Sequence, residues 1–177
     1  RLEKDWTEYP VLHLDFTGSK YLQKDDLDVT LDQHLSNWEK RYEILPRYDN
    51  LTARFKDIID ATNEKTGKQV VILIDEYDKP IVDNLGNDEL ADYYKSVLQG
   101  FYSVMKAKDG FIRFGFITGV SKIGKMSVFS GINNLKDISM MPEYADICGI
   151  TEQELVAYFD AGIQEMADAN GLSKQEC

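Results

Sequence analysis

Two hydrophobic periods alternate along the chain. The blocks PVLHLDFT (10–17), QVVILIDEYD (69–78) and FIRFGFITG (111–119) have the short apolar character of strands, the first closed by Gly18 and Ser19. VVILI inside the second block is a continuous apolar run, as expected of a strand buried on both faces of a parallel sheet. Between these blocks the period lengthens to that of a helix. Over 25–44, Leu31, Leu35, Trp38 and Tyr42 share a stripe, with Pro46 expected to end it. Over 51–67, Leu51, Phe55, Ile58 and Ile59 point inward, with Asn50 as start cap and Gly67 as stop. Over 87–107, Leu90, Tyr94, Val97, Phe101 and Val104 share a face, and 137–141 is a further short candidate strand. The segment 151–171 opens on a capping box, Thr151 to Glu154, and closes at Asn170 and Gly171.

Strands separated by long helices imply right-handed crossovers, hence an α/β fold: a parallel sheet with helices on both faces. Ligands of such sheets sit beyond the carboxyl ends of the strands. Asp75, Glu76 and Thr118 fall at that edge.

Composition narrows the function classes. The chain has 177 residues, 43% hydrophobic and 11% aromatic, as in a globular domain with a core. No apolar run approaches the roughly 20 residues of a membrane span, and the start carries no signal-peptide core. It begins with Arg1 rather than Met, as expected of a piece of a longer chain. A net charge of −11 repels phosphate backbones, so nucleic acid is not an expected partner, although Lys122 and Lys125 leave room for a local basic patch. Cys148, Cys177, His13 and His34 have no zinc-ligand spacing, and reduced thiols in a cytoplasm are the plain expectation.

The most informative chemistry follows VVILI. Two carboxylates at the rim of a core are costly unless something stabilises them. A nucleotide-borne Mg²⁺ ion, with its preference for oxygen ligands and retained waters, is one such partner. On that reading Asp75 binds the metal shell and Glu76 polarises an attacking water as general base. The alternative is that both acids cap a loop or meet a structural cation. Tyr77, Asp78 and Lys79 read as loop and surface contacts.

A second pattern competes for the phosphate. Gly119 to Lys125 reads G-V-S-K-I-G-K, the first seven positions of G-x-x-x-x-G-K-[ST]. The eighth is Met126, whose soft thioether suits Mg²⁺ badly, and Ser127 comes one place late, about 100° further round a helix. The order, after the acidic strand, would also demand a permuted topology. The preferred reading is a polar sensor next to the acidic pair: Thr118, with Ser121 in reserve and Lys122 or Lys125 adding positive charge toward the phosphates. The alternative is a glycine-relieved turn with solvated lysines.

RLEKDWTEYPVLHLDFTGSKY, VVILIDEYDKPI and FGFITGVSKIGKMSVFSGINNLKDIS, in this order and spacing, resemble the predicted AAA-ATPase-like family of bacterial proteins. In that family an ATPase module typically precedes a PD-(D/E)XK nuclease-like module. The resemblance extends to about Ile150. It implies a three-layer P-loop NTPase fold with strand order 5-1-4-3-2, here lacking the first strand and the Walker A loop, which lies upstream in the family. It also implies Asp75 and Glu76 as Walker B acids, Thr118 as the sensor-like residue, and ATP with Mg²⁺ as cofactors of the intact protein. On this reading residues 1–177 are one ATPase fragment, with 151–177 starting a following helical region. Strand 10–17 should neighbour 69–75, and 69–75 should neighbour 113–118. The open strand edge should either pair in a homo-oligomer or meet a rearranged carboxyl-terminal part.

Three functions follow as expectations. The chain is the Walker B and sensor part of an ATP-hydrolysing module, inactive by itself for want of a phosphate cradle. Alternatively it is a non-catalytic interaction module with an acidic surface, or the permuted P-loop enzyme of the Gly119–Lys125 pattern.

Overall fold

The computed structural model describes residues 7–120, 128–129, 132, 134–147, 149–174 and 176. They form two compact units, 1–134 and 135–177.

In the first unit three strands, β1 (Val11–Asp15), β2 (Val70–Asp75) and β3 (Ile112–Ile117), form a parallel sheet in the order β1-β2-β3. This is the neighbour relation expected for the three blocks. Leu12 is opposite Ile72, Leu14 opposite Ile74 and Asp15 opposite Asp75; Leu73 is opposite Phe116 and Ile74 opposite Ile117. A bulge at Val70/Val71 shifts the start of β3.

Helix α1 (Lys24–Arg41) and α2 (Leu51–Thr66) connect β1 to β2. A short α3 (Lys79–Val82) and the long α4 (Asp88–Ala107) connect β2 to β3. Local chemistry sets their ends. The Asn50 side chain accepts from the Ala53 amide at 3.0 Å and starts α2, and Gly67, at φ 65°, ends it. Pro46 does not terminate α1. The helix stops earlier, where Glu43 turns left-handed (φ 51°) and the amides of Glu43 and Ile44 donate to the carbonyls of Lys40 and Glu39.

Among the described residues of the first unit, the helices lie on one face of the sheet, whereas the alternation of elements predicts both. Leu12, Leu14, Val70, Ile72 and Ile74 are buried under helices that pack on one another, and Gly115 meets Met105 of α4 on the same side. On the opposite side Val71 and Leu73 are only half-buried, His13 is exposed and Phe114 is 54% exposed. The reason is topological. Right-handed crossovers that step from β1 to β2 to β3 in one direction put both connections on the same face. VVILI is therefore buried on alternate residues rather than on both faces. The candidate strand 137–141 is not a strand either. Met141 donates to Ile138 in a tight turn, and β3 pairs with β2 alone among the described residues.

The core is an aromatic chain. Trp38 of α1 tilts against Phe55 of α2, which stacks on Phe101 of α4 at 4.5 Å. Tyr102 then stacks on Phe129, and Phe129 meets Tyr77 at 4.9 Å, so the core reaches the loop after β2. A buried ion pair staples the outer layer. Arg54 donates from Nε and Nη2 to the two carboxylate oxygens of Glu39 at 2.9 and 2.7 Å, and further to Asp32 and Ser36. Those neighbours, Glu39 foremost, hold the guanidinium firmly protonated.

In the second unit, α5 (Glu152–Asn170) begins with the expected capping box, in which Glu154 accepts from Thr151 and the Glu154 amide donates to the Thr151 hydroxyl. Gly171 ends it at φ 65°. Among the described residues no helix is long and apolar enough to cross a membrane.

Candidate functional site

Residues Val71, Leu73 and Asp75 alternate onto the side of the sheet that the helices leave open. In-register pairing sets Asp15 beside Asp75 on that side. Thr118 follows β3 directly, and its amide continues the ladder by donating to the Ile74 carbonyl at 2.8 Å. The Thr118 hydroxyl donates to Oδ1 of Asp75. The sheet thus brings Asp15, Asp75 and Thr118 together in one row at its carboxyl edge.

Asp15 is the member of this row that sequence reasoning passed over. Its carboxylate accepts from the Thr17 hydroxyl at 2.7 Å and from the Thr17 amide at 2.8 Å. The Thr17 hydroxyl, chiefly, holds it below the usual aspartate range. The only signal in the sequence was its position, at the end of a strand that turns out to lie next to β2.

Glu76 breaks the strand geometry. In extended backbone it would follow Ile74 toward the core, where an unpaired carboxylate costs several kcal/mol, on the order of 2–7 even for neutral polar groups. Instead its φ is 55°, left-handed for a residue with a side chain. Its carbonyl accepts from the Lys79 amide at 3.0 Å, and the chain turns into α3. The side chain is left half-exposed, with no hydrogen-bonding or ion-pairing partner for its carboxylate among the described residues. The nearby Lys79 is engaged with Asp83 at 2.9 Å rather than with either acid. Glu43 takes the same conformation to end a helix, whereas Glu76 takes it where the chain leaves β2 and turns into α3.

Tyr77 and Asp78 are not surface contacts, contrary to their reading from sequence. Both are buried, Asp78 completely. The Tyr77 amide donates to the Thr118 carbonyl at 3.0 Å, and the Asp78 carboxylate accepts from the Val120 amide at 3.1 Å. Gly119 lies between them. A Cβ there would come within 2.4 Å of the Tyr77 ring and 2.7 Å of Asp78 Oδ1. The glycine that opens the G-x-x-x-x-G-K pattern therefore has a packing reason to be glycine. Ser121, Lys122, Lys125 and Met126 lie outside the described residues.

Among the described residues no group of three or more His, Cys, Asp or Glu side chains converges to hold a metal. The row fits a cation that arrives with most of its own oxygen ligands, because Asp75 offers a carboxylate at the open edge of the sheet. The cleft between α1, α2 and α4, about 440 Å³, is a poorer home for a phosphate. Asp28 and Asp49 line it, and among the described residues no Lys or Arg does.

The family model described as Predicted AAA-ATPase matches residues 1–129, which contain the whole sheet and the row at its edge. An uncharacterized protein in the vnfD 5′ region of Azotobacter chroococcum mcd 1 is 40% identical over 156 residues, 88% of this chain. The matched part spans 30% of that relative's length. No solved structure matches.

Proposed function

The chain belongs to the predicted AAA-ATPase family, and on that footing we propose that it supplies the water-activating part of a Mg²⁺-dependent ATP-hydrolysing module in the full-length protein. The observation that carries the reading is the row at the sheet's carboxyl edge: Asp75 paired with the Thr118 hydroxyl, next to a Glu76 whose carboxylate has no partner among the described residues.

Each residue has a role in this proposal. Asp75 holds the shell of the cation, and the Thr118 hydroxyl fixes which way its carboxylate faces. Glu76, turned off the strand path, accepts the proton of the attacking water. Mg-ATP, when bound, supplies the phosphoanhydride and the positive charge that neutralises it. Ser121 and Lys122 are proposed to bind the phosphates.

The test is the Mg²⁺ dependence of ATP turnover by the full-length protein with Asp75→Asn. The proposal expects turnover to fall by about a hundredfold or more, the scale of losing one preorganised electrostatic group. Unchanged turnover and unchanged Mg²⁺ dependence would rule it out.

A second reading is an interaction module with an acidic surface. The observation in its favour is the half-open apolar sheet face, where Phe114 and Phe116 stack on each other at 6.3 Å. It predicts that changes at Asp75 and Glu76 leave the protein's activity untouched.

A further inference from the structure

We propose that Asp78 is a positioning residue, a buried latch that sets Thr118 against Asp75. The inference rests on the hydrolytic reading of Asp75, Glu76 and Thr118, and adds to it the part that holds their two strands in step.

Asp78 is a carboxylate with no exposed surface. A group of that kind is expensive to bury unless it is hydrogen-bonded. One of its partners is the Val120 amide, two residues beyond the Thr118 whose hydroxyl meets Asp75. The segment that carries Thr118 is thereby held on both flanks. The Thr118 amide donates to Ile74, the Thr118 carbonyl accepts from Tyr77, and the Val120 amide donates to Asp78. Gly119, in the middle, seats directly on the Tyr77 ring and on Asp78 Oδ1, with no room for a methyl group. Phe129 and Tyr102 back the Tyr77 ring in turn, so the seat cannot recede without disturbing the core.

The ladder of a parallel sheet ends with the strands, and beyond it a loop is free to drift unless side chains tie it down. Here the tie comes from the residue two places after Glu76. One short stretch, 75–78, therefore carries the metal acid, the base and the group that aligns the neighbouring strand's hydroxyl. Asp78 acts on Thr118 through Val120 and Gly119, which makes its role positional. A misplacement of about 1 Å at such a site is worth roughly a hundredfold in rate.

The experiment uses the full-length protein with Asp78→Ala, Asp78→Asn, Gly119→Ala and, as reference, Glu76→Gln. Asp78→Ala and Gly119→Ala should lower kcat for ATP about 10- to 100-fold with little change in KM, because no group that touches nucleotide is removed. Asp78→Asn keeps a side-chain oxygen for the Val120 amide and should recover kcat to within a few-fold of the parent. Amide hydrogen exchange gives a readout independent of turnover: Val120 and Thr118 should lose at least about tenfold of their protection in Asp78→Ala and keep it in Asp78→Asn. Parental kcat and parental protection in Asp78→Ala would overturn the latch, as would an Asn variant as impaired as Ala. Should Glu76→Gln itself leave turnover intact, the hydrolytic reading fails. Loss of turnover in Glu76→Gln with none in Asp78→Ala removes the latch alone.

Discussion

The left-handed conformation of Glu76 should cost stability that a glycine would recover. A side chain at φ 55° meets its own backbone, a penalty of about 1–2 kcal/mol. Glycine removes that penalty but orders a more flexible unfolded chain, which returns about 0.5–1 kcal/mol. The Glu76 carboxylate forms no hydrogen bond or ion pair with the described residues that its loss would forfeit. Glu76→Gly should therefore stabilise the fold by roughly 0.5–1 kcal/mol, which in a chain of this size raises Tm by about 1–4 °C. Glu43 serves as the control, because it has nearly the same backbone angle, φ 51°, at a helix end far from Asp75 in sequence. Glu43→Gly should also stabilise, less the small contribution of its exposed pair with Lys65. The two variants should part company in turnover: Glu43→Gly unchanged, Glu76→Gly abolished. Denaturant unfolding and ATP hydrolysis on the same preparations make the comparison. Loss of more than about 1 kcal/mol in Glu76→Gly would refute the strain argument, because the carboxylate would then be making a stabilising contact.

Three further outcomes follow from the packing. Arg54→Met strands the buried Glu39 carboxylate and should cost about 3–5 kcal/mol in chemical denaturation, whereas Arg54→Met with Glu39→Leu should recover most of that loss. The Tyr102 hydroxyl is buried without a hydrogen-bond partner among the described residues, so Tyr102→Phe should be neutral or stabilising by about 1 kcal/mol; a loss of that size would reveal a partner. Burial pushes the Tyr21 and Tyr94 hydroxyls up to about 12 from an ordinary 10.0. The folded state thus holds these protons more tightly than the unfolded one. Their contribution to stability is full below pH 10 and is lost as pH rises through about 12, and Tyr21→Phe should flatten that decline in melting experiments.

The strands, the long helices and most of their caps were legible because each depends on neighbours a few residues apart. Asn50, Gly67 and the Thr151–Glu154 box act within one turn of backbone. The juxtaposition of Asp75 and Thr118 was legible because α/β alternation places strand ends at one edge, and the sheet does pair their strands. What could not be read depends on distant partners. Asp78 has the composition of a surface loop, and its complete burial depends on distant partners such as Val120 and Gly119. Arg54 looks like a solvated helix charge until α1 brings Glu39, Asp32 and Ser36 around it. Asp15 joins the row through strand pairing that its own neighbourhood does not announce. The one-sided covering of the sheet follows from strand order rather than from the count of helices, which is why hydrophobicity alone overstated the burial of β2.

The most direct test compares nucleotide binding with turnover in the full-length protein carrying Glu76→Gln, a change that keeps size and removes only the base. Mg-ATP should bind as in the parent while hydrolysis falls about a hundredfold or more, the scale of removing a general base. Hydrolysis at the parental rate would contradict that role for Glu76.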